Sequence, residues 1–186
     1  MLIFIKNMIT PKAENKVINI FREQGIDPLS VTSGEVNTVE TPSNAVLQAL
    51  SDELKKENFE LVTDRQLIPV EKVKFLVMDM IFYQLVLPAV NYSVYLAGKM
   101  NASYDSLSRH FSKITGETIE HFIIRQKIER VKELILTNSL SISEIAEKLQ
   151  YSTPAHLANQ FKKITGMTIS AYSTSHFTMA TSHRRY

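Results

Sequence analysis

The apolar positions of this chain change their period as it is read. "LIFIKNM" alternates, which predicts a strand with Ile3 and Ile5 on one face. "PKAENKVINIFREQG" turns to helical spacing: Pro11 suits a first turn, Val17, Ile20 and Phe21 make a stripe, and Gly25 stops it. "PLSVTS" and "EVNTVE" predict two short strands turning at Ser33-Gly34. "TPSNAVLQALSDELKKENF" is a second helix, capped by Ser43, with Val46, Leu47, Leu50 and Leu54 as its buried face. "ELVTD" closes as a strand. The order βαββαβ predicts a ferredoxin-like α+β domain over 1–67.

Residues 70–87 then keep helical spacing through Val73, Leu76, Val77, Met80 and Ile81, up to Pro88. This is a connector helix within 68–88, packing on one or both domains or on a second subunit. From 89 to 174 the pattern is helical throughout, and it repeats. "LSRHFSKITGET" from Leu107 returns as "LANQFKKITGMT" from Leu157. In the first copy "SVYLAGKM" is a short helix carrying Leu96, Ala97 and Met100. Asn101-Ala102-Ser103 turns, and the next helix buries Leu107, Phe111 and Ile114 until Gly116 ends it. In the second copy Ser141 and Glu144 form a capping box before Ile145, Ala146 and Leu149. Gln150-Tyr151-Ser152 turns, and Leu157, Phe161 and Ile164 are buried until Gly166. Each copy is a helix-turn-helix frame.

The positions kept between the copies point inward or cap a helix; the changed ones point outward. Tyr104, Asp105, Ser108, Arg109 and Ser112 face out in the first copy, and Pro154, Ala155, Ala158, Asn159 and Lys162 in the second. One frame with two outward faces suggests two readers of different sequence. The helix between them, about 119–137, spans roughly 28 Å at about 1.5 Å per residue. Successive major-groove faces of B-DNA lie about 34 Å apart, so one chain could read two consecutive grooves. A plain helical bundle with an αα repeat is the alternative.

Composition narrows the classes. The 186 residues are 44% hydrophobic and 22% charged, as expected of a globular chain. No run of 18 apolar residues occurs, and the first residues lack a basic leader and cleavage site, so neither a membrane span nor a secretory signal is expected. The absence of cysteine excludes disulfides, thiolate metal sites and cysteine catalysis. No paired carboxylates in a defined frame, activated nucleophile or phosphate loop is visible, so no catalytic residue, metal site or cofactor is assigned. The net charge is +2, but residues 1–88 hold 9 basic against 12 acidic side chains and residues 89–186 hold 12 against 7. All five histidines lie in the basic half. That balance fits a polyanionic partner, or simply a solvated surface.

Residues 91–172 resemble the AraC/XylS family of bacterial transcription regulators. The likeness is carried by "YLAGKM", "LSRHFSKITGETIEHFIIRQKIERVKELI", "SISEIAEKLQYS" and "HLANQFKKITGMTISAY". It implies that the second helix of each pair enters a major groove of double-stranded DNA. By position, the implied base-reading residues are Tyr104, Asp105, Ser108 and Arg109, then Ala155, His156 and Asn159. Arg109 could bond O6 and N7 of guanine, Asn159 suits adenine, and Asp105 could accept from cytosine N4. His156 is as readily a neighbour of Phe161 in the core. Lys113, Lys162 and Lys163, with the capped helix starts at Ser103 and Ser152/Thr153, are the implied phosphate contacts. Gln150 departs from the usual glycine of the second turn, Pro154 lies in the first turn of the second reading helix, and Thr168-Ile169 replaces Thr-Pro.

The first domain resembles a heavy-metal-associated domain without its ligands. That family binds soft metals through Met-x-Cys-x-x-Cys; here Met8 is followed by Thr10 and Ala13 at the cysteine positions. The domain is left to sense another effector, to bind a protein partner, or to pair two copies through residues 1–88. The expectation is a cytoplasmic, nucleoid-associated bacterial regulator. The alternative is an interaction module that keeps the helix-turn-helix frame with weakened DNA reading. The tail 175–186, with His176 and His183, reads as a frayed end rather than a metal site.

Overall fold

The structure, a computed structural model, describes residues 1–32, 34–84, 91–137 and 140–182, the side chains of 176–182 excepted. Ser33 of the expected turn, Pro88 and His183 lie outside the described residues, as does the side chain of His176.

The N-terminal half builds a four-stranded antiparallel sheet in the order β2-β3-β1-β4. The strands are β1 (Leu2–Lys6), β2 (Ser30–Thr32), β3 (Glu35–Asn37) and β4 (Glu60–Val62). Ile3 pairs with Val36 across β1 and β3, and Ile5 with Leu61 across β1 and β4. Two helices, α1 (Pro11–Glu23) and α2 (Asn44–Lys56), cover one face. Thr10 and Ser43 cap them, each accepting from the backbone N–H three residues on. Ile3, Ile5, Met8, Val17, Phe21, Val36, Leu50 and Leu54 form this core.

Phe4 is buried as well. The alternation of β1 places Leu2, Phe4 and Lys6 on the opposite face, and helix α3 (Ile68–Met78) packs there. Lys72 pairs with Glu35 of β3 at 2.8 Å, and Lys6 reaches Glu71 at 3.9 Å. The expected connector is therefore a covering layer of the sheet. Its Val73, Leu76 and Val77 are buried, as the spacing predicts. The chain runs on through a π-helical turn, Asp79–Tyr83, with Met80 and Ile81 buried.

The rest of the described chain is helical: α4 (Tyr92–Met100), α5 (Tyr104–Thr115), α6 (Ile119–Thr137), α7 (Ile142–Lys148), α8 (Pro154–Thr165) and α9 (Ile169–Ser182). Helix α9 continues into the stretch read as a frayed tail. The contacts divide the chain into two compact units. The first comprises residues 1–79 and 90–116, so α4 and α5 share a body with the sheet and pack against α3. The second comprises 80–89 and 117–186, with α6 at its centre against α7, α8 and α9. No described helix is long and apolar enough to cross a membrane.

Candidate nucleic-acid interface

Both frames form, and local chemistry explains each end. Asn101 closes α4 in the left-handed conformation at φ 48°, which asparagine tolerates better than most residues. Ser103 caps α5, its hydroxyl accepting from Ser106 N–H at 3.3 Å. Leu96, Leu107 and Phe111 are buried between the two helices, and Gly116 ends α5 at φ 76°. Ile114 is only partly buried.

In the second frame the capping box is complete. Ser141 N–H donates to Glu144 Oε2 at 2.6 Å, and Glu144 N–H to Ser141 Oγ at 3.3 Å. The Ser141 hydroxyl and N–H hold the Glu144 carboxyl below its ordinary pKa. Ile145, Ala146, Leu149, Leu157 and Phe161 are buried; Ile164, like Ile114, is partly so. The edge of Phe161 meets the ring of Tyr172.

The second turn is one residue longer than the first. From Leu96 to Ile145 the copies are offset by 49 positions, and from Leu107 to Leu157 by 50. Gln150 takes the left-handed place of Asn101, at φ 54°. Thr153, not Ser152, then caps α8, its hydroxyl accepting from His156 N–H at 3.0 Å. Ser152 instead lies 3.1 Å from His156 Nδ1. The extra residue brings in Tyr151, half-buried, which meets the His156 ring edge-on at 5.4 Å.

His156 is exposed, not a core neighbour of Phe161. It occupies the first turn of α8, one step past the outward Ala155, with its ring held at the surface by Ser152 and Tyr151. Asp105 and Arg109 on α5 are exposed, as are Ala155 and Asn159 on α8. Tyr104, Ser108 and Ser112 are half-buried beside them, and so is Ala158. Arg109 Nε donates to the Asp105 carbonyl oxygen at 3.3 Å, which lays the side chain along its own helix.

Charge separates these surfaces from α6. Arg109, Lys113, Lys162 and Lys163 are exposed and make no ion pair among the described residues. Three of the four cations of α6 are matched: Arg125 with Glu117 at 2.8 Å, Arg130 with Glu133 at 2.7 Å, Lys132 with Glu129 at 2.8 Å. Helices α5 and α8 each also present a capped N-terminal turn, where the backbone N–H groups and the helix dipole favour an anion.

Two features escaped the sequence reading. Lys127 of α6 is only 7% exposed, with Nζ 5.0 Å from the centre of the Tyr151 ring. Burial lowers the Lys127 pKa to about 8 and raises that of Tyr151 to about 12. The signal was a lysine on the apolar stripe Ile123, Ile128, Val131. The other is His110, whose Nε2 lies 2.8 Å from the Gln66 carbonyl oxygen.

Comparison with known proteins agrees with this geometry. Residues 96–175 match the family model described as a helix-turn-helix domain. Over 61 residues, 33% of this chain, the sequence is 33% identical to the xylose operon regulatory protein of Escherichia coli strain K12. That stretch is 16% of the relative's length, so the chain spans only a small part of the curated relatives it matches. The C-terminal domain of AraT, a response regulator from Geobacillus stearothermophilus, is similar at TM-score 0.51 and 27% identity, covering 60% of this chain and 88% of that one. The DNA-binding domain of AdpA, a global transcriptional factor in complex with a target DNA, is similar at TM-score 0.49 and 21% identity, covering 58% of this chain and 92% of that one. The family match places a helix-turn-helix domain over residues 96–175.

Proposed function

We propose that the chain is a sequence-specific DNA-binding regulator of transcription, with α5 and α8 entering successive major grooves of one duplex. One observation carries the reading. Both frames leave their second helices' outward cations exposed and without ion pairs among the described residues, while the three solvent-facing cations of α6, Arg125, Arg130 and Lys132, face carboxylates. A helix is the element that fits a major groove, and both the capped starts of α5 and α8 and the unpaired lysines of their last turns are what phosphates need.

The roles divide by chemistry. Arg109 reads guanine through its two-pronged donor edge, and Asn159 reads adenine. Lys113, Lys162 and Lys163 neutralise phosphates, and the exposed starts of α5 and α8 position the backbone. The N-terminal half belongs to the reading as a ferredoxin-like domain. Its strand order and its two helices on one face support that. At the positions that would hold cysteines in a heavy-metal-associated domain, Ala13 N–H donates to Thr10 Oγ1 at 3.1 Å. Those positions start a helix here and offer no soft ligand.

The test is binding to the DNA upstream of its own gene, followed by fluorescence anisotropy against salt. Four unpaired cations predict a log–log slope of about −3 to −4. No binding at low salt refutes the regulator and leaves the interaction module.

A further inference from the structure

We infer that one end of the N-terminal sheet is a binding groove for a small apolar carboxylate, and that its occupancy reaches α5 through Gln66 and His110. The groove has a volume of ≈ 550 Å³, within the roughly 300–1,000 Å³ of small-molecule sites. Leu2, Leu47, Leu61, Val62 and Ile68 give it an apolar wall, and Arg65 stands at its rim. Leu2 is 44% exposed there, unusual for a leucine within a strand.

Arg65 supplies the polar half of the argument. Lys6, Lys16, Arg22, Lys56, Lys72 and Lys74 of the same half face carboxylates; Lys12, which like Arg65 makes no ion pair among the described residues, does not line the groove. Arg65 is exposed and makes no ion pair among the described residues. A guanidinium without a counter-ion, beside an apolar wall, selects a ligand with one carboxylate and an apolar body.

The route to α5 is short. Arg65 sits in a tight turn, in which Gln66 N–H donates to Asp64 Oδ1 at 2.8 Å and Leu67 N–H to the Asp64 carbonyl at 3.0 Å. Glu71 N–H donates to the Leu67 carbonyl at 2.9 Å, joining the turn to α3. The turn therefore moves as one piece with the start of that helix. The residue between Arg65 and Leu67 is Gln66, whose carbonyl lies 2.8 Å from His110 Nε2. A carbonyl only accepts, so His110 donates from Nε2. His110 follows Arg109 on α5, and α3 packs on α5 as well. A ligand that pulls on Arg65 thereby pulls on the helix that presents Arg109.

The binding half stands apart from the DNA-binding reading; the consequence for DNA rests on it. The probe is octanoate, with octan-1-ol as the uncharged control, titrated into the full chain without DNA. Calorimetry reads affinity, and the imidazole proton signals of His110 read transmission. The expected result is one octanoate per chain, weakened about tenfold or more by Arg65→Gln and by replacement with octan-1-ol, as a charge-assisted bond requires. The His110 signal shifts along the same saturation curve. Absence of saturable binding, equal binding of octan-1-ol, no effect of Arg65→Gln, or a still His110 signal each overturns the inference. With DNA added, octanoate should change the affinity by about fivefold or more, and His110→Ala should abolish that change. A chain that binds DNA with an affinity indifferent to octanoate overturns the transmission. A chain that binds octanoate, moves His110 and never binds DNA overturns the regulator reading alone.

Discussion

Replacing Lys127 by methionine should stabilise the protein at neutral pH, and the gain should shrink in alkali. The Lys127 side chain is nearly covered, and burial lowers its pKa from 10.5 to about 8. The folded state thus binds its proton less tightly than the unfolded state does. Below pH 8 both states are protonated and the fold carries the full penalty. At about 1.36 kcal/mol per unit, that penalty is about 3 kcal/mol. Between pH 8 and 10.5 the unfolded chain still binds the proton while the folded chain releases it, so stability rises with pH. The penalty should fall by about 2 kcal/mol from pH 7 to 9.5. Contact with the Tyr151 ring returns about 1–2 kcal/mol to the lysine. Lys127→Met should therefore gain about 1–3 kcal/mol at pH 7, since methionine fills similar space without a charge. Urea denaturation of both proteins at pH 7 and 9.5 measures this. Tyr151, shifted to about 12, stays neutral throughout. A difference between the two proteins that does not change with pH, or a variant less stable at pH 7, would refute the argument.

Gln150→Gly should add about 0.5–1 kcal/mol, because glutamine bears the left-handed conformation at φ 54° that glycine adopts freely; an unchanged urea midpoint would contradict this. Gly34→Ala should cost about 1–3 kcal/mol, since a methyl there would sit 2.7 Å from Phe4 Cζ at φ 83°; calorimetric melting reads it. Arg109→Ala should relax preference at one base pair by about 1–3 kcal/mol. Lys163→Ala should weaken all sequences alike and reduce the salt slope by about one; binding-site selection distinguishes the two, and an unaltered preference in Arg109→Ala would show the contact assignment to be wrong.

The frames were legible because everything that makes them is close in sequence. A cap and its partner are three residues apart, as at Ser141 and Glu144, and a buried stripe needs only four residues, as from Leu107 to Phe111. At the second turn the order of residue types leaves Ser152 and Thr153 both open as the cap, because the offset between the copies grows from 49 to 50 there; the structure gives the cap to Thr153. His156 is exposed, as is Ser106 at the matching place of the first frame, so the position does not belong to the core.

What the amino-acid order determined by itself is the set of elements and the pair of helix-turn-helix frames, since these rest on neighbours within one or two helical turns. The tertiary structure decided what packs on what. Phe4 is buried because α3 returns to cover the second face of the sheet, and no alternation within β1 could say so. Lys127 loses its water because α7, α8 and the turn at Tyr151 close over α6. His110 meets Gln66 across 44 residues of chain. Such contacts depend on how separate elements share a limited apolar surface, a competition settled only when the whole chain has folded.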